Sequence, residues 1–116
     1  LGGVVAPYAG SIGMRALVSR GGTDDLLKAL IRNGLPVIVE QATTTDDPDL
    51  HYRPVEAYDD ALGQFIASDP LLGPRHALQY ADFNHIWSAT NNWFAVIYPP
   101  ARQADLNTAL AAAAWS

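Results

Sequence analysis

Apolar and polar positions fall into a helical rhythm between Thr23 and Gly34, where Leu26, Leu27, Leu30 and Ile31 recur at three- and four-residue spacing. Thr23 stands where an N-cap belongs, Asp24 and Asp25 occupy the first turn, and Asn33-Gly34 supplies the stop, so a helix is predicted between them. The rhythm then changes: Val37-Ile38-Val39 is a continuous β-branched run, the pattern of a central strand buried on both faces. Before the helix, Pro7 to Met14 fits a short helix, and Arg15 to Ser19 alternates as a short strand ahead of the Gly21-Gly22 turn.

Residues 41–50 are polar and turn-forming, which predicts a surface loop. A strand from His51 to Tyr58, a turn at residues 59–63 and a returning strand from Gln64 to Ser68 read as a β-hairpin closed by Asp69-Pro70. Leu71-Leu72-Gly73-Pro74 reads as a further turn. From Gln79 or Tyr80 to Thr90, Phe83, Ile86 and Trp87 give helical spacing; Trp93 to Tyr98 is the last strand, stopped by Pro99-Pro100. The Ala- and Leu-rich stretch 101–116 is expected to be a helical tail or linker. The sum is an α+β fold: a small, mostly antiparallel sheet with flanking helices.

The chain has 116 residues, 49% of them hydrophobic, enough for one domain with a small core. Twelve acidic residues against seven basic ones give a net charge of −5, the wrong sign for binding phosphates, so no nucleic acid partner is expected. No run of 18 apolar residues occurs, so no membrane span is expected either. The first residue is Leu1 rather than Met, which suggests a chain beginning inside a longer gene product. There is no cysteine, which excludes disulfides, thiolate metal sites and thiol nucleophiles together and leaves the compartment open.

The candidate chemistry lies in the hairpin. His51 opens one strand and Asp69 ends its partner, so the predicted pairing puts them at one end of the sheet. A carboxylate there would orient the imidazole as general acid and base, although such a pair also arises as a cap beside a turn residue.

The surrounding string is more specific. His51-Tyr52-x-x-Val55-x-x-Tyr58-Asp59-Asp60, Ser68-Asp69-Pro70-x-x-Gly73-Pro74, Tyr80-x-x-Phe83-x-x-x-Trp87 and the aromatic strand ending Tyr98-Pro99-Pro100 resemble the bacterial bacteriocin-processing-peptidase-like family of papain-like cysteine peptidases. Pro7-Tyr8, Gly22-Thr23-x-x-x-Leu27-Lys28 and Gly34-x-Pro36-Val37-Ile38-Val39-Glu40 extend the resemblance over residues 4–100. It implies that residues 1–100 are the sheet lobe of such a domain, with His51 the catalytic histidine and Asp69 the acid that orients it. It also implies that the nucleophilic cysteine and an oxyanion-hole glutamine belong to an N-terminal lobe of the same protein, and that the substrate is a peptide or protein. Gln41, Gln64, Gln79 and Gln103 lie outside the context of that glutamine, and Ser11 and Ser19 lie outside a nucleophile-elbow pattern.

Pro54 and Glu56-Ala57 depart from the family pattern and point towards an inactive copy; Pro54 also removes a ladder donor and implies an edge or a bulge. Three functions therefore stand side by side: half of a peptidase, a non-catalytic peptide- or protein-binding module, and a structural domain with an accidental His-Asp pair. No cofactor or metal is expected: Asp59-Asp60 reads as turn chemistry rather than a calcium set, and His76 and His85 lack ligand spacing with His51. Without its helical lobe, the sheet is expected to expose an apolar face.

Overall fold

A computed structural model of the chain describes residues 2–69 and 73–115. In chain order the elements are α1 (Gly2–Ser11), β1 (Arg15–Ser19), α2 (Asp24–Arg32), β2 (Val37–Thr44), β3 (Asp47–Asp59), β4 (Gln64–Asp69), β5 (Gly73–Gln79), α3 (Tyr80–Trp87), β6 (Phe94–Tyr98) and α4 (Gln103–Ala112). Short 3-10 turns at Ser88–Thr90 and Pro100–Arg102 extend α3 and precede α4. The strands form one six-stranded antiparallel sheet in the order β1-β6-β2-β3-β4-β5. The fold is α+β, and β2 lies inside the sheet as its β-branched run predicts.

Local chemistry sets the ends of α2. The Thr23 hydroxyl accepts from the Leu26 N–H at 3.1 Å, and Gly34, at φ +70°, turns the chain so that the N–H groups of Gly34 and Leu35 cap the carbonyls of Ile31 and Leu30. Leu26, Leu27, Ala29 and Leu30 are buried beneath it.

The main core lies between the inner sheet face and helices α2, α3 and α4. Val37, Val39, Val55, Phe65, Phe94 and Val96 rise from the strands to meet Leu26, Leu30, Phe83 and Trp87. Tyr80, Phe65, Phe83 and Trp87 form a run of ring contacts with centroids 4.5 to 5.5 Å apart. Gly22 approaches the far end of this run so closely that a Cβ there would lie 2.8 Å from Trp87 and 2.9 Å from Phe94. The segment expected as a tail or linker closes this core, because Leu106 and Ala109 of α4 are buried in it. Trp115 stacks edge-on against Phe94 at 5.3 Å and donates to the Gly21 carbonyl.

The outer sheet face is different. Ala16, Val18, Ile38, Tyr52, Trp93, Ala95 and Ile97 gather there around Val5 of α1. Ile38 is half-buried while Val37 and Val39 are buried, so β2 has one closed face and one partly covered face rather than two closed ones.

The stretch 41–50, read as a loop, is mostly strand, and Gly73-Pro74, read as part of a turn, open another strand. Residues 41–50 form the end of β2 and the start of β3, which meet in a tight turn at Thr45 and Asp46. Composition misled there because the polar residues Gln41 and Thr43 are buried and hydrogen-bonded rather than solvated. Residues 73–79 form the edge strand β5, whose mostly exposed side chains carry no hydrophobic alternation and whose Pro74 is tolerated at an edge. The expected turn at Leu71 and Leu72, and Pro70 before it, lie outside the described residues. Pro54 sits in interior strand β3, and the register shift it foreshadows follows it between Val55 and Ala57.

Candidate functional site

His51 and Asp69 lie on neighbouring strands and on the inner face, but one same-face step out of line. The strand carrying His51 starts earlier than expected, at Asp47, so His51 lies within β3, directly opposite Gln41 of β2. Near the hairpin turn Asp59 pairs with Gln64 and Ala57 with Ile66, whereas beyond the register shift Val55 pairs with Ala67. Carrying that last pairing two residues on brings Arg53, rather than His51, opposite Asp69.

The side chains follow the register. Arg53 Nε donates to Asp69 Oδ2 at 2.6 Å, with both side chains at 0% exposure. The remaining guanidinium donors reach β2: Nη1 donates to Gln41 Oε1 at 3.1 Å and the Ala42 carbonyl at 3.0 Å, and Nη2 to the Thr43 carbonyl at 2.5 Å. Those carbonyls lie where the β2–β3 ladder shifts register, between Ala42 and Thr44. Gln41 Nε2 in turn donates to the Phe83 carbonyl of α3 at 3.1 Å, and Thr43 Oγ1 to the Asp49 carbonyl at 2.8 Å. Among the described residues every buried side-chain nitrogen and oxygen has a hydrogen-bond partner. The network joins three strands and a helix, and its chemistry is that of a neutralised, dry ion pair.

His51 stays outside this network. Its ring is half-buried and makes no side-chain hydrogen bond or ion pair among the described residues. The 116 residues contain no cysteine to face it. The hydroxyls of Ser11 and Ser19 donate to the carbonyls of Tyr8 and Arg20, away from β3.

Sequence reasoning missed Arg53. The signal was present: Arg53 alternates in phase with His51 and Val55, which puts a charge on a core-facing position, and a buried charge needs an opposite one. Gln41, passed over as an oxyanion residue, becomes legible only once Arg53 is placed, since its amide bridges the guanidinium to α3.

The acidic pair of the hairpin turn splits into two local roles. Asp59 Oδ1 accepts the Leu62 N–H at 3.1 Å and shapes the turn. Asp60 Oδ1 meets Lys28 Nζ of α2 at 2.8 Å and the Tyr80 hydroxyl of α3 at 2.6 Å. The Lys28 ammonium lies 4.5 Å from the Tyr80 ring centre and 5.6 Å from that of Tyr58. The Lys28 ammonium and Tyr80 hydroxyl hold the Asp60 carboxyl below its ordinary range, and the Asp60 carboxylate raises Lys28. Burial, then the bond to Asp60, raises Tyr80. His76 is half-buried and His85 exposed, and no group of three or more His, Asp or Glu close enough to hold a metal occurs among the described residues. No helix among them is long and apolar enough to cross a membrane.

No family model matches this sequence, and neither a curated protein nor a solved structure matches it.

Proposed function

We propose that the chain is the sheet lobe of a papain-like, bacteriocin-processing-peptidase-like domain that serves as a non-catalytic peptide- or protein-binding module. One observation carries this reading: the Asp69 carboxylate, which would have to orient His51 in a peptidase, is bound by the fully buried Arg53 guanidinium. An imidazole without that carboxylate has nothing to fix its tautomer or to stabilise the imidazolium formed when it takes a proton. The departures at Pro54 and Glu56 point the same way.

The hydrolytic reading, with cysteine and glutamine supplied by another lobe of the same protein, is favoured by one fact: His51 faces the same side of the sheet as Asp69 and has no competing side-chain partner of its own. Hydrolysis of a fluorogenic peptide library by the intact gene product, compared with its His51→Ala variant, separates the two. The binding reading predicts no hydrolysis that depends on His51. Turnover that vanishes in the variant would overturn it.

A further inference from the structure

We propose that the outer sheet face beside α1 docks a polypeptide segment combining an apolar stripe with a basic side chain. This rests on the binding reading above and names the surface and the chemistry of its ligand.

The surface begins with α1. Between residues 1 and 14 there is no Asp, Glu, Lys, Arg or His. Val5 is turned onto the sheet, whereas Val4, Tyr8 and Ile12, spaced by four residues, remain 56%, 59% and 53% exposed. An uncharged stripe of large exposed side chains is the mark of an interaction surface. Between this helix and the sheet lies a cavity of about 450 Å³ lined by Val4, Val5, Tyr8, Ile38 and Ile97. Its size suits two or three apolar side chains, the usual anchor set of a segment lying in a groove.

Glu40 supplies the charge preference. It follows Ile38 by two residues on the same face of β2, lies opposite Tyr52 of β3, and its backbone N–H donates to the Trp93 carbonyl across the sheet. Its side chain is half-buried and makes no hydrogen bond or ion pair among the described residues. Trp93 and Tyr52, in edge contact at 5.5 Å, belong to the same outer cluster. A half-buried carboxylate on this face suits an ammonium or guanidinium of opposite charge. The arginines nearest in sequence to α1 are committed elsewhere, Arg15 to Gln103 and Arg20 to the Thr90 carbonyl. The net charge of −5 favours a cationic partner and opposes a second acidic copy of this chain.

The test uses the folded chain and a fluorescein-labelled synthetic helical peptide carrying a leucine stripe and two lysines, with a control in which glutamates replace the lysines. Anisotropy measures affinity, and methyl and backbone NMR shifts locate the peptide. The surface predicts shifts concentrated at Val4, Val5, Ile38 and Ile97, an affinity reduced roughly five- to tenfold by Glu40→Gln and by Tyr8→Ser, and little binding of the glutamate control. Both substitutions are at partly or fully exposed positions, and an unchanged amide spectrum elsewhere verifies that the fold persists. Shifts scattered over the acidic surface, equal binding by Glu40→Gln, or concentration-dependent shifts at α1 showing self-association would overturn the proposal. Loss of docking without His51-dependent hydrolysis removes this surface and leaves the non-catalytic reading in place. Hydrolysis that depends on His51, with docking intact, does the reverse.

Discussion

A guanidinium at 0% exposure has given up all its water, a loss of several kcal/mol unless protein groups replace it. At Arg53 they do: a carboxylate, an amide oxygen and two backbone carbonyls accept from it. Breaking the set from one side strips the other of its buried ionic partner, so Arg53→Met and Asp69→Asn should each destabilise the fold by about 3–5 kcal/mol in urea titrations. Arg53→Met should be the worse of the two, because it also orphans the carbonyls of Ala42 and Thr43. His51→Ala, which removes no hydrogen bond of this set, should stay within about 0.5 kcal/mol of wild type. A result in which His51→Ala costs as much as Asp69→Asn would mean that the imidazole, too, shares the carboxylate. Gly22 makes a separate prediction by size alone. With Trp87 and Phe94 inside 3 Å of any added Cβ, Gly22→Ala should cost roughly 1–3 kcal/mol by the same titration.

Elements with a strong rhythm and explicit punctuation were legible. Helix α2 shows its cap, its stripe and its stop, and β1, β4, α3 and β6 announce themselves by alternation or spacing and by the turns that bound them. The β2–β3 turn and β5 were not legible, for opposite reasons. The first hides polar residues inside, where only a long-range ion pair makes them acceptable; the second shows polar residues outside on an edge, where nothing apolar is needed. The β3–β4 hairpin is clasped to α2 and α3 through Asp60, Lys28 and Tyr80, and this clasp should show in a pH titration of stability. Asp60, with its folded pKa lowered from 3.8, contributes stability that is present above that value and is lost as pH falls below it. Lys28, raised from 10.5, contributes below that value and loses its contribution as pH climbs past it, and Tyr80, raised from 10.0, changes in the same direction. The clasp therefore persists over the whole neutral range. Asp60→Asn should flatten the acid limb of the unfolding profile below about pH 4 and reduce the alkaline one; an acid limb identical to wild type would show that the clasp does not form in solution.

At the scale of the whole molecule, the radius of gyration of 13.6 Å matches the roughly 13.4 Å expected of a compact domain of this length. Helix α4 helps achieve this by sealing the inner face, so the module is asymmetric: closed on the side of α2, α3 and α4, and open on the side of α1. On that open side Val4, Tyr8 and Ile12, at and just after α1, stand exposed. Of the candidate site, the sequence revealed the neighbouring strands and the shared sheet face. It concealed the partner: the pairing of Val55 with Ala67 carries Arg53 to Asp69 and leaves His51 two residues further along the strand, which a shared sheet end does not reveal.

That substitution of partners can be observed directly. In a uniformly nitrogen-15-labelled sample, the Arg53 Nε–H resonance should be slow to exchange with water and should collapse into the exchanging pool in Asp69→Asn, while the His51 ring N–H groups exchange rapidly in both proteins. A protected His51 ring N–H coupled to Asp69, with Arg53 exchanging freely, would contradict the account.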